Sequence, residues 1–218
     1  MIEGRIYRDR TEAGLELASR LSAQGHHASI VFGLVRGGLL VAEPIARELG
    51  ARLEPMIVRK VGHPRQPELG VGAIAPDGQF WIVEDLGVRF QLDQEDLEPV
   101  IQRERAELLR REAEFTGGHP ISFAGENVIV ADDGLATGAS AMVAGLYLRR
   151  HGAARAVLAV PVCPPEAAVR MQSFYDEVFC LQQIPEFRSV GQWYEDFRQL
   201  GDDDVKEVLS RWAGVSEG

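Results

Sequence analysis

The chain holds only two cysteines, Cys163 and Cys180, and neither belongs to a Cys-x-x-Cys pair. So few thiols argue against a disulfide framework and leave small buried thiols in a reducing cytosol as the expectation. No apolar run approaches membrane-spanning length, and the opening residues Met1-Ile-Glu-Gly-Arg5 lack the apolar core of a signal peptide. A cytoplasmic protein without a membrane partner is expected. Positive charge is scarce: 23 Lys and Arg stand against 33 Asp and Glu, a net charge of −10. Phosphate backbones need a basic face, so the charge argues against nonspecific nucleic-acid binding. A small phosphorylated substrate is not, because a local basic pocket can sit inside an acidic surface. The five histidines (His26, His27, His63, His119, His151) show no HxxH or HExxH spacing and read as surface or loop residues, not structural metal ligands. Internal repeats and low-complexity tracts are absent.

What is present fits one large α/β domain with room for a small cap: 218 residues, 45% apolar and 26% charged. Helical spacing runs from Thr11 to Leu21 through Ala13, Leu17 and Ala18, with Thr11 the expected N-cap. Ser29–Val35 is an apolar β-rich run, Leu39–Leu49 a helix that Pro44 should bend, and Gly50 its stop. Leu53–Val58 reads as a second strand, closed by Arg59 and Lys60. Pro76-Asp77-Gly78 between two apolar runs (71–83) signals a hairpin. Asp93–Phe115 is a long charged helix ended by Gly117-Gly118-His119-Pro120. Another strand spans Ala156–Val162, a helix opens at Pro164-Pro165, and Val178–Leu181 is the last core strand. Strands alternating with helices predict a parallel sheet covered on both faces by right-handed crossovers, a Rossmann-like α/β fold.

The most informative segment is Val128-Ile-Val-Ala-Asp-Asp-Gly-Leu-Ala-Thr-Gly-Ala-Ser140. An apolar strand runs straight into Asp132 and Asp133, then into a loop of small and hydroxyl residues, then into a helix. Ligands of open α/β sheets gather at such strand ends. Here two carboxylates can accept from sugar hydroxyls, beside loop N–H groups, the Thr137 and Ser140 hydroxyls and a helix N-terminus that suit a phosphate. A phosphorylated ribose fits the combination. The plain alternative is a solvated Asp pair before a capped helix. A second strand, Val31–Val35, ends in Arg36-Gly37-Gly38: two glycines admit a ligand close to the backbone, and Arg36 offers a fork for phosphate oxygens. Taken alone, this is a strand-to-helix turn.

Together, and in this order, the two segments resemble the PRPP-binding machinery of the type I phosphoribosyltransferases. The resemblance covers nearly the whole chain. It implies a core over residues 1–183, with a flexible region around 60–118, and a hood over 184–218. It implies that Asp132 and Asp133 hold the ribose hydroxyls, that Gly134, Leu135, Ala136, Thr137, Gly138, Ala139 and Ser140 wrap the 5-phosphate, and that Arg36, Gly37 and Gly38 take the pyrophosphate. A strained or cis peptide near Val35–Arg36 is implied as well. Arg36, Asp132 and Asp133 are the expected catalytic residues. Mg²⁺ is the expected cofactor, held by Asp132 and Asp133 largely through ligand and water. Arg59 and Lys60 could each be surface charge; the resemblance favours a pyrophosphate contact for at least one. Residues 62–74, rich in Gly and Pro, correspond to the family's flexible cover, whose closure would exclude water.

The acceptor side is looser. Phe187, Val190, Gly191 and Glu195 or Asp196 resemble the purine-enzyme hood, and Trp193 adds a flat ring suited to stacking. The same rings could instead close a hydrophobic cap over the sheet. Ala136 stands where hypoxanthine-guanine enzymes carry an acid, so hypoxanthine and guanine are expected to be poor acceptors. A base with a donor at its edge, such as adenine, or an unusual heterocycle is favoured. The implied reaction is displacement of pyrophosphate from C1 of PRPP by a ring nitrogen. The rivals are a non-catalytic PRPP or nucleotide sensor and a phosphoribosyl hydrolase or phosphorylase. A homodimer is compatible with the resemblance.

Overall fold

The computed structural model describes residues 6–82 and 94–216. Helix α1 is Arg10–Ala23, with Ala13, Leu17, Ala18 and Leu21 on its buried face. Its N-cap is Asp9, not Thr11: Asp9 is extended and its carboxylate accepts from the Glu12 N–H at 2.8 Å. Glu12 reaches back to the N–H of Arg8, the residue before the cap, at 2.6 Å, so one acid satisfies a first-turn donor and the other fixes the entry of the chain. Strand β1 (Ile30–Leu34) is buried throughout and leads into α2 (Gly37–Leu49). Helix α2 continues through Pro44, buried beside Gly14 of α1, and ends at Gly50, whose φ of 62° is the left-handed cap that glycine supplies most cheaply.

Strand β2 (Arg52–Met56) is followed by three strands of a separate sheet: β3 (Arg59–His63), β4 (Gln66–Ile74) and β5 (Phe80–Ile82). This corrects two expectations. Arg59 and Lys60 do not close β2; they open β3, with Arg59 opposite Ile74 and Lys60 opposite Ala73 in an antiparallel pair. Residues 62–74, expected as a cover loop, are mostly strand. Composition misled because Gly62 falls at the register shifts, where a bulge absorbs a residue that would otherwise break pairing. The expected hairpin at Pro76-Asp77-Gly78 is the β4–β5 turn, with Gly78 at φ 75°; its last residue, Val83, lies outside the described residues. So does Asp93, where the long helix was expected to begin; α3 is Gln94–Thr116.

The remaining elements are β6 (Asn127–Ala131), α4 (Ala139–Arg150), β7 (Arg155–Cys163), α5 (Pro165–Met171), β8 (Glu177–Gln183), a 3₁₀ turn at Val190–Trp193 and α6 (Asp202–Ser216). The main sheet has the order β2-β1-β6-β7-β8 with every pair parallel. Alternate strand residues feed two cores. Val31, Ile129, Val157 and Ala159 face α1, α2, α3 and α6, while Phe32, Val130, Leu158 and Val160 face α4 and α5. Burial on both faces explains why these strands read as unbroken apolar runs. A third, smaller cluster joins Tyr7, Val162, Ile184, Trp193 and Tyr194, and there the N-terminal segment is sewn to the stretch after β8. Tyr7 N–H donates to the Trp193 carbonyl at 2.8 Å, and Glu195 N–H donates to the Tyr7 carbonyl at 2.8 Å. Both cysteines are free, on neighbouring strands, with Sγ atoms 2.9 Å apart. No described helix is long and apolar enough to cross a membrane.

Candidate functional site

The strand order puts the two motifs side by side. From β1 the chain runs outward to β2 on one side, and β6 lies on the other, so the β1/β6 boundary is the switch point of the sheet. Crevices form there because the connections leave in opposite directions. Asp132 and Asp133 follow β6 and Arg36-Gly37-Gly38 follow β1. Contact between them is close enough to dictate glycine. A Cβ at Gly37 would lie 2.7 Å from Cγ of Asp133, and one at Gly38 would lie 2.9 Å from Cα of Asp132. Side chains essentially never tolerate such approach, so both positions require the missing Cβ. The Val35–Arg36 peptide is cis, in line with the expectation for that turn.

Asp133 is held from the opposite end of the chain. Arg10 Nε donates to its Oδ2 at 2.7 Å, and the two side chains are only 8% and 15% exposed. The Arg10 guanidinium lies 3.9 Å over the Phe197 ring and donates to the Arg198 carbonyl at 3.2 Å. Tyr194 donates its hydroxyl to the Asp133 carbonyl at 2.7 Å and stacks on Phe197. Burial, reinforced by the neighbouring charge of Asp133, pushes the Asp132 carboxyl well above its usual range. Burial raises Asp133 too, opposed by the hydrogen bond and charge of Arg10. Two crowded carboxylates in this condition gain from any ligand that donates hydrogen bonds to them, because such bonds favour the ionised form.

The loop after the acids has its own frame. Leu135 is buried and its N–H donates to the Val162 carbonyl at 3.0 Å. Val190 and Val162 press on Gly134 so closely that a Cβ there would lie 2.8 Å and 2.9 Å from their methyls. Arg170 donates to the Thr137 carbonyl at 2.9 Å. Ala136 and Thr137 are exposed at the tip, and Gly138 (φ 73°) begins α4 without a side-chain cap. The α4 N-terminus therefore keeps amide donors for an incoming anion, with Ser140 in its first turn. A cavity of about 300 Å³ opens beside the Arg36 turn, lined by Arg10, Arg36, Gly37, Phe197, Arg198 and Leu200. A larger one, about 440 Å³, lies under the β4–β5 turn among Phe32, Asp77, Glu112, Tyr147 and His151 and shares no residue with the acid pair or the Arg36 loop. Size alone does not locate the site; convergence of the two motifs does.

The other expected residues are distributed unevenly. Arg59 is engaged by Glu104 of α3, with Nε to Oε2 at 2.9 Å, and the Lys60 chain lies across Gly70. Neither lines the cavity beside Arg36. Phe187 is half-buried against the third cluster, and Glu195 and Asp196 are exposed. Trp193 is fully buried in that cluster, its indole N–H without a hydrogen-bond partner among the described residues. Two participants carried no expectation from sequence, Arg10 and Asp202, whose Oδ1 lies 3.7 Å from the Arg36 guanidinium, and Tyr194, one of the aromatics of the expected hood, instead binds the Asp133 backbone. Arg10 had one readable signal. It shares a helical face with Ala13, Leu17 and Leu21, so a charge was due inside.

Comparison with known proteins places this arrangement among relatives. The family model described as phosphoribosyl transferase domain matches residues 7–196. Two Mycobacterium tuberculosis proteins, one from each of two strains and provisionally named phosphoribosyl transferases, are 40% identical over 208 residues. The match covers 95% of this chain and 47% of theirs, so the chain spans about half the length of these relatives. A crystal structure of a Thermus thermophilus protein superposes with a TM-score of 0.79 at 38% identity, over 96% of this chain and 99% of that one. A hypothetical Neisseria gonorrhoeae protein solved with bound ppGpp gives 0.51 at 11% identity, over 97% and 98%. That last likeness is one of fold alone.

Proposed function

The chain belongs to the phosphoribosyl transferase domain family, and on that premise we propose that it transfers the 5-phosphoribosyl group of PRPP to a nitrogenous base, releasing pyrophosphate. One observation carries the reading: the acid pair after β6 and the Arg-Gly-Gly turn after β1 meet at the switch point within van der Waals reach of each other. In this account Asp132 and Asp133 accept hydrogen bonds from the ribose 2- and 3-hydroxyls. The loop from Gly134 to Ser140 holds the 5-phosphate with backbone N–H groups and hydroxyls. Arg36 meets the charge that grows on pyrophosphate as its bond to C1 breaks, and Gly37 and Gly38 admit the diphosphate to the backbone. As C1 becomes oxocarbenium-like, the nearby carboxylates stabilise the developing positive charge. The rate gain comes from positioning and prearranged charge.

Mg²⁺ is the proposed cofactor. Among the described residues no three His, Cys, Asp or Glu side chains converge on one point. Asp132 and Asp133 therefore supply at most part of an octahedral shell, with Asp133 already engaged by Arg10. That donor set fits a hard cation that keeps waters and takes substrate oxygens. When bound, the ion would neutralise diphosphate charge. Arg59 and Lys60 remain proposed as contacts to the diphosphate. For Arg59 this requires release from Glu104. Phe187, Trp193, Glu195 and Asp196 remain the proposed acceptor-side residues, with Glu195 and Asp196 the exposed ones. A cytoplasmic location is proposed as well.

A second reading, a non-catalytic PRPP or nucleotide sensor, is favoured by one observation. The aromatic faces near the acids are already occupied: Trp193 is buried, and Phe197 carries Arg10 and stacks on Tyr194. Initial rates with saturating Mg-PRPP and adenine, uracil, orotate, hypoxanthine, guanine and xanthine separate the two. Transfer to a base bearing a donor at its edge, such as adenine, is expected. PRPP binding with silence across the panel would establish the sensor, and rapid turnover of hypoxanthine or guanine would overturn the inference from Ala136.

A further inference from the structure

Next to Arg36, which lines the cavity, lies the first turn of α6, Asp202-Asp203-Asp204. Asp202 is the residue that meets the site. Its Oδ2 accepts from the Arg110 guanidinium of α3 at 2.6 Å, a firm contact. Its Oδ1 is different. It is buried and has no hydrogen bond, although Arg36 lies 3.7 Å away and Arg111 3.6 Å away. Those separations are too long for hydrogen bonds, so Arg36 is attracted to Asp202 by charge alone. Helix α6 is anchored independently, by Val205 and Val208 in the main core and by Arg110, so Asp202 is held in place, while Arg36 is about one-third exposed and meets it only through that long ion pair.

We propose that Asp202 is the resting counter-ion of Arg36: it holds the guanidinium in the free protein and is exchanged for an anionic diphosphate oxygen when ligand binds. This positioning role rests on the assignment of Arg36 to the pyrophosphate. A phosphate oxygen can approach to hydrogen-bonding distance, in paired geometry, where Asp202 Oδ1 does not, so the exchange runs toward the ligand. The carboxylate nevertheless subtracts from affinity, since a ligand must first compete for Arg36. Arg110 and Arg111 stay with Asp202 and with Glu107, so the carboxylate left behind is not stranded.

The test is calorimetric titration of Mg-pyrophosphate and of Mg-PRPP into the wild-type chain, Asp202→Asn, Arg36→Ala and the double variant, with melting curves for each. A loose, partly exposed pair corresponds to roughly a two- to five-fold effect. Asp202→Asn is expected to bind both probes tighter by that factor, and to gain nothing when Arg36 is already alanine. Asp203→Asn, a change at a fully exposed carboxylate of the same turn, should leave affinity unaltered. Should Asp202→Asn melt early, Asp202→Ser also removes the charge and carries the same expectation. Unchanged or weaker binding by Asp202→Asn, or an equal gain without Arg36, overturns the exchange while leaving the functional reading intact. A wild-type chain that binds neither probe overturns the functional reading and the exchange with it.

Discussion

Arg10→Met isolates the contact that ties the N-terminal helix to the acid pair. Methionine keeps most of the unbranched stem and removes only the guanidinium. Asp133 then remains next to Asp132 with no opposing charge, in a place where its side chain is 15% exposed. Breaking a buried ion pair by removing one partner costs about 3–5 kcal/mol; the residual exposure, and the ability of Asp133 to take up a proton, put this case near the lower end, ~3 kcal/mol. For a chain of this size, ~3 kcal/mol corresponds to a drop in Tm of roughly 6–12 °C. The pH dependence gives the sharper test. Burial already raises the Asp133 pKa, and Arg10 opposes the rise, so the variant must raise it further. A carboxyl whose folded pKa lies above its unfolded value costs nothing below the unfolded pKa of about 4, and its cost grows as pH climbs through the folded pKa. Urea unfolding of both proteins should therefore give near-equal midpoints around pH 4 and a widening gap up to neutral pH. A loss of constant size at every pH would mean that Arg10 matters for packing on Phe197 rather than for the charge of Asp133, and would refute the reasoning.

The same sign applies to Asp132, whose pKa is raised well above its usual value by burial and then by Asp133. Asp132→Asn should make the free chain more stable at pH 7.5 than the wild type, with the gain fading toward pH 4, in paired urea titrations; a less stable variant at pH 7.5 would contradict it. Arg36→Ala is expected to lower turnover by more than it weakens PRPP binding, read as a larger fall in kcat than rise in KM, because the charge it meets grows as the bond breaks. Equal losses would reduce Arg36 to an anchor.

Much of the core architecture is legible in local sequence because it is written in local periodicity. The runs Ile30–Leu34 and Val128–Ala131 are apolar at every step because each strand is buried on both faces, and their polar ends mark where the sheet opens to ligand. The acid pair and the Arg-Gly-Gly turn were legible for the same reason: each lies within a few residues of its strand. Of the antiparallel sheet only the β4–β5 hairpin was legible; β3 and the start of β4 were not, since Gly62, Gly70 and Gly72 give them the composition of a loop while letting the strands and the Lys60 chain approach closely. The clamp on Asp133 was hidden by distance. Arg10 lies 123 positions away in sequence, and no window of local pattern links the two. Asp202 escaped similarly, as one of three consecutive acids of which a single member turns toward Arg36.

The central claim is that Asp132 and Asp133 serve a ligand and not the core. Calorimetric titration of Mg-PRPP into the wild type and into Asp132→Asn/Asp133→Asn tests it most directly, with circular dichroism to verify that both are folded. The account predicts saturable binding by the wild type and none by the folded double variant. Equal affinity in the two would contradict it.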